Sequence, residues 1–153
     1  GYQSGYDAMD SVQPGVFAGV GIADCTPILL ADPVTRVCAA IHAGWKGTVA
    51  RIVEKTAKRM IENRGSNPAD LLVYIGPCIS FAHFEVGDEV AAQFSEEFKT
   101  RKGAKWYVDL KAANEAQLRA KLDPLSYDVL RNAATERPFT GEYTDSDKVG
   151  IYK

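Results

Sequence analysis

Two side chains that can bind a metal or act as nucleophiles stand at the ends of apolar runs. Cys25 lies in "ADCTPILLADP" (23–33) and His42 in "IHAGWKG" (41–47), in a chain with only three cysteines and two histidines. Read apart, a free Cys is among the most buried residue types, and a lone His on an apolar strand is commonly a hydrogen-bonded core residue. Small or turn-forming neighbours favour the shared reading: Ala23 and Thr26-Pro27 flank the Cys, and Ala43-Gly44 follow the His. Both residues also fall at strand ends, where α/β sheets place their chemistry. We therefore expect Cys25 and His42 to be two parts of one site.

The surroundings extend that expectation. His42 leads into a predicted helix start at Gly47-Thr48 with Lys46 beside it, and free N–H groups at such an end suit a phosphate. Asp24 is read as an orienting group for a ligand or proton, or as a turn cap. His83 follows "GPCIS" and is a candidate third ligand, against a surface or capping role. Cys38 is expected in the core, and Cys78 is expected to shape the pocket. Trp45 either stacks on a base or packs beside the helix start.

Several motifs are excluded. "GWKGT" lacks the glycine spacing of a P-loop. "GPCISF" has Phe81 where a nucleic-acid deaminase needs its second Cys. No Gly-x-Ser-x-Gly elbow is present.

The elements that must position these groups follow from periodicity. Residues 16–23, "VFAGVGIA", read as a strand buried on both faces. Residues 28–30 and 36–43 read as strands of a hairpin turning at Asp32-Pro33. Residues 46–65 read as one helix with Thr48 as N-cap and Gly65 as its stop, its apolar face including Val49, Ile52, Val53, Met60 and Ile61. A strand is expected at 71–75 and a helix at 84–99 through Val86, Val90, Phe94 and Phe98. A strand at 106–110 should run into an Ala-rich helix at 111–122 stopped by Pro124. Residues 149–153 suit a closing strand. The class is α/β (mixed α+β): a single domain over 1–153 with a mixed sheet flanked by helices.

Composition agrees with a soluble globular domain: 153 residues, 46% hydrophobic and 25% charged. A net charge of −2 suggests neither nucleic acid nor a membrane as partner. No apolar run approaches the ~18 residues of a membrane span. Sparse cysteines without paired spacing suggest a reducing, cytoplasmic setting.

"ADCTPILLADP…VCAAIHAGWKGTVARIVEKT", "IGPCISFAHFEVGDEVAAQF" and "WYVDLKAANEAQL" together resemble the YfiH/YlmD laccase-domain family, also labelled polyphenol oxidases. The resemblance spans about residues 6–120, with Ala-Asp-Cys and His-Ala-Gly-Trp as its signature. It implies a metal site of His, Cys and His, described with zinc and sometimes copper, with Cys25 and His42 matching the last two ligands and so expected as its metal ligands and catalytic groups. It also implies phosphorolysis of purine nucleosides and deamination of adenosine, with a small-molecule nucleoside and phosphate as partners. The family's first metal His belongs to a segment upstream of Gly1, so the chain is expected to lack its N-terminal segment. The family's Cys-Thr and Phe-Ser-x-Arg-Arg stretch has no counterpart in 121–148.

Two imidazoles and a thiolate would leave one tetrahedral zinc position open, as in catalytic sites. Deamination would draw on water activated there, and phosphorolysis on phosphate held near Lys46, Gly47 and Thr48. The alternative is a copper-dependent polyphenol oxidase acting on phenols. Two histidines are too few for a multicopper cluster, and a His₂Cys copper site needs His83. A third reading is an inactive fragment or binding domain.

Overall fold

The apolar run after Cys25 forms strand β2 (Thr26–Asp32), which reverses into β3 (Val37–Ala43) in a computed structural model that describes residues 5–122. The reversal is built by Asp32, whose carboxylate accepts the N–H of Val34 (2.8 Å) and of Thr35 (3.0 Å) and the Thr35 hydroxyl (2.6 Å). Such an Asx-type turn is what Asp before Pro favours. Strand β1 (Ala8–Ser11) pairs with the outer edge of β3, and β4 (Leu72–Ile75) with the outer edge of β2. The order β1-β3-β2-β4 is antiparallel throughout.

Alternation along β2 sends Ile28 and Leu30 into the core, where they meet Ile41, Val53, Ala57, Met60 and Leu118. Each fully buried Leu, Ile or Met side chain stabilises the fold by ~1.5–3 kcal/mol relative to exposure. Val53, Ala57 and Met60 come from helix α2 (Ile52–Arg64), and Leu118 from α4 (Leu110–Arg119). Asp10 on β1 accepts from Arg59 and Arg64 of α2, at 2.6 Å each, tying helix to sheet edge. A second antiparallel sheet, order β5-β7-β6, joins β5 (Glu85–Val86), β7 (Lys105–Val108) and β6 (Lys99–Lys102). It carries its own cluster around Phe94, Val108, Leu110 and Ala113. Among the described residues no helix is long and apolar enough to cross a membrane.

The mixed α/β class holds, but two antiparallel sheets stand where one mixed sheet was expected. Residues 16–23 form no strand, and Phe17 is 93% exposed. Both edges of β2 and of β3 are already filled, and Gly19 and Gly21 give this run little side chain to pack. The expected helix at 46–65 is two helices, α1 (Trp45–Val49) and α2, separated where Arg51 adopts left-handed backbone (φ 59°, ψ 44°). Thr48 is therefore not an N-cap; Gly44 is, and Thr48 lies inside α1. Val49 faces outward, whereas Gly65 does close α2 at φ 76°.

Residues 84–99 are not one helix but β5, a short helix α3 (Asp88–Ala91) and a 3-10 turn (Glu96–Phe98). Val86 is drawn into a ladder opposite Trp106, which a helix through Gly87 would forbid. Even so, Val86, Val90, Phe94 and Phe98 all reach one cluster. The spacing reported shared packing and not backbone. Strand β7 stops at Val108, because Asp109 caps α4 by accepting the Ala112 N–H at 2.9 Å. The expectations at Pro124 and 149–153 lie outside the described residues.

Candidate metal centre

Around the start of β2 the chain is clamped to the loop after β4. Pro27 O accepts the Gly76 N–H and Asp24 O accepts the Ile79 N–H, both at 2.9 Å. Cys25 is held between these two bonds. On the other side, His42 of β3 sits opposite Pro27. Gly44 closes the arrangement: a Cβ placed there would lie 3.0 Å from Cys25 Sγ and 3.8 Å from His42 Nε2. The sulfur and the ring nitrogen thus converge on one side-chain-free position.

The His42 ring is oriented from behind. Its backbone N–H donates to Asp7 O at 2.7 Å, and Nδ1 lies 2.9 Å from Asp7 Oδ1. A carboxylate only accepts, so Nδ1 carries a proton, and in the neutral ring Nε2 is the nitrogen with the lone pair. This carboxylate–imidazole pairing accompanies metal-bound histidines. Asp7 was missed in the sequence, since nothing in the spacing of "GYDAMD" pairs it with a residue on β3.

Burial pushes the Cys25 thiol up, and the charges of Asp24 and Asp7 push it the same way. Such surroundings oppose a bare thiolate and favour one neutralised by a cation. Asp24 itself is exposed and acts on Cys25 through charge. Cys78 is buried, and burial raises its thiol too; the Thr26 hydroxyl and Lys111 oppose that rise, while Asp109 and Cys25 add to it. It therefore lies close enough to Cys25 to feel its charge. Cys38 is only half-buried on β3, opposite Ser11 and Ala31, and not in the core as expected. Trp45 packs against the Phe94–Val108 cluster, the packing alternative of the two considered.

The proposed phosphate residues are placed unequally. Lys46 is exposed, its ammonium 5.5 Å from the centre of the Trp45 ring. Gly47 lies inside α1, where a Cβ would stand 3.4 Å from Ile52 Cγ2. Thr48 is 1% exposed, donates its hydroxyl to Gly44 O at 2.9 Å and accepts from Asn114 Nδ2 at 2.9 Å. Its hydroxyl is thus engaged inside the fold. His83 is exposed in the turn after Cys78, with Nδ1 2.7 Å from Ser80 Oγ. Among the described residues no three His, Cys, Asp or Glu side chains form a group able to hold an ion. His83 does not complete the pair in this arrangement.

Cys25 and His42 nonetheless fit two ligands of one metal: a soft and a borderline donor, a fixed tautomer, and a gap that Gly44 leaves between them. Residues 2–122 match a family described as multi-copper polyphenol oxidoreductase laccase. The chain belongs to this family. Within the laccase family, a purine nucleoside phosphorylase of Deinococcus radiodurans is 43% identical over 116 residues, covering 73% of this chain and 46% of that protein. An adenosine deaminase from an unknown prokaryotic organism is 38% identical over 122 residues, covering 74% and 46%. The crystal structure of the hypothetical protein YfiH of Bacillus licheniformis superposes with a TM-score of 0.73 at 30% identity, covering 79% of this chain and 49% of that one. The chain thus spans about half the length of the laccase-family relatives it matches.

Proposed function

We propose that this chain supplies the Cys–His half of a metal site in an enzyme that processes purine nucleosides. The reactions are phosphorolysis of adenosine- and inosine-type nucleosides and deamination of adenosine. The observation that carries the reading is the convergence of Cys25 Sγ and His42 Nε2 on Gly44, with Asp7 behind the ring. The names borne by the relatives support the substrate class. Cys25 and His42 would hold zinc, with copper as the alternative. Bound there, the ion would supply a Lewis acid able to polarise water or a substrate oxygen.

The chain's own residues set the conditions for that chemistry. Asp7 holds the Nδ1 proton of His42, which keeps Nε2 free to donate its lone pair. Asp24 adds negative charge beside the sulfur and favours a cation there. Lys46, exposed and one residue past Trp45, is the cationic side chain we assign to phosphate. The unpaired cysteines support a cytoplasmic setting. His83 remains the proposed substitute ligand should metal bind to this chain alone.

The family's description favours a second reading, a copper-dependent oxidase of phenols. A count of two histidines opposes a self-contained copper cluster. One experiment separates these readings from an inactive fragment. A chain extended upstream to include the family's first metal His is given inosine or adenosine with phosphate, and separately a phenol with dioxygen. Release of free base with a sugar phosphate, lost in Cys25→Ala, supports the nucleoside reading. Phenol oxidation alone, or no turnover with metal bound, rejects it.

A further inference from the structure

We infer that Asn114 is a positioning residue for the Cys25–His42 pair, acting through Thr48 on the backbone of Gly44. Asn114 is 0% exposed in the middle of α4, where an apolar residue would pack without needing partners. Burying an amide is costly unless it is hydrogen-bonded. Its Nδ2 donates to Thr48 Oγ1 at 2.9 Å and to Leu110 O at 2.8 Å. Its Oδ1 finds no partner among the described residues, so only the donor half of the amide is used. One turn further along α4, Gln117 Nε2 donates to Thr48 O at 2.8 Å. Two amides of α4 thus fasten on one residue of α1.

Thr48 passes the constraint on. Its hydroxyl donates to Gly44 O at 2.9 Å, and its N–H donates to the same oxygen at 2.8 Å. An Asn114 donor directs the Thr48 hydroxyl proton toward Gly44, because the Thr oxygen is then the acceptor on its other side. Two donors on one carbonyl fix the peptide plane at Gly44, the residue onto which Cys25 and His42 converge. Hydrogen bonds linked in such a chain polarise and strengthen one another. Removing the hydroxyl lets the Gly44 peptide tilt and alters the gap between sulfur and Nε2.

This inference rests on the metal reading of the pair, so its test uses two measurements that fail separately. One is Co²⁺ titration of the chain, followed by the thiolate-to-cobalt charge-transfer band. The other is the rate of Cys25 alkylation by iodoacetamide at fixed pH without metal, mapped by mass spectrometry, with half-buried Cys38 as internal control. Thr48→Val keeps the shape and removes the hydroxyl; Thr48→Ser restores it. Thr48→Val and Asn114→Ala are expected to weaken Co²⁺ binding ~10–100-fold, the usual cost of losing a group that orients a ligand. They should also change the Cys25 rate several-fold with Cys38 unaltered, and Thr48→Ser should behave as the unaltered chain. A Thr48→Val protein that matches the unaltered chain in Cys25 alkylation overturns the inference, as does a Thr48→Ser protein that matches Thr48→Val. If the unaltered chain shows no cobalt–thiolate band, the metal reading fails, and the alkylation rates still decide the positioning role. Should Asn114→Ala not fold, Thr48→Val removes the acceptor of the same bond and carries the test.

Discussion

His42 Nδ1 and Asp7 Oδ1 lie 2.9 Å apart, a contact between a ring on the third strand and a carboxylate just before the first. It decides which ring nitrogen faces Cys25. Asp7→Ala should free the ring to take the other tautomer and to rotate. Zinc affinity, measured by competition with a chromophoric chelator, is expected to fall ~10–100-fold. Asp7 is largely exposed, so the melting temperature should barely move. Unchanged affinity would remove Asp7 from the site.

Gly44→Ala places a methyl 3.0 Å from Cys25 Sγ, tighter than ordinary contact, in the gap between the two donors. The cobalt–thiolate band is expected to disappear while circular dichroism stays native. A retained band of full intensity would show that the ion does not sit against Gly44.

Acid stability has a specific contributor. Burial alone would raise the Asp32 carboxyl, but the hydroxyls of Thr35 and Ser66 and the N–H groups of Thr35 and Val34 outweigh it and hold the group at about 2. A folded-state value below the ordinary 3.8 stabilises the fold above that pH, and the stabilisation is lost as pH falls toward 2. It amounts to on the order of 2 kcal/mol. Asp32→Ala should therefore destabilise the chain at neutral pH by at least that order. It should also flatten the drop in urea midpoint between about pH 4 and pH 2. An acid limb as steep as that of the unaltered chain would assign it elsewhere.

Gly76 meets Pro27 at close quarters, since a Cβ would fall 2.8 Å from the ring carbon Cγ. A proline ring cannot swing aside as a flexible chain can. Gly76→Ala is expected to cost ~1–3 kcal/mol in urea unfolding, the range for overpacking. It should also loosen the Gly76–Pro27 backbone bond next to Cys25, read as faster amide exchange at Gly76.

The pairing of Cys25 with His42 was legible because both stand where apolar runs meet small residues, and strand ends bring such positions together. The hairpin of β2 and β3 was legible for the same reason, with Asp32-Pro33 marking its turn. Asp7 was not, because it reaches His42 only through a strand pairing between distant stretches, and β1 has no apolar alternation to announce it. Thr48 illustrates a different limit. A Thr before an apolar helical stretch is a sound N-cap by local rules, yet two amides on α4 and a left-handed Arg51 draw it into a separate, shorter helix. Likewise, the i, i+4 spacing of Val86, Val90, Phe94 and Phe98 recorded which side chains pack into one cluster. Their backbone was settled by Gly87 and by the ladder to β7.

The bond between Asn114 and Thr48 joins residues 66 apart in sequence, whereas Cys25 and His42 are brought together by a hairpin whose strands are neighbours in the chain. Local contacts form early in folding, and long-range ones wait on loop closure. The two donors are therefore expected to be near each other before the clasp from α4 exists, and to gain their final spacing only when α4 docks. On the proposed metal reading, capture is then expected to have a kinetic order: loose encounter with the hairpin first, then tightening at the rate at which the last described helix finds its place.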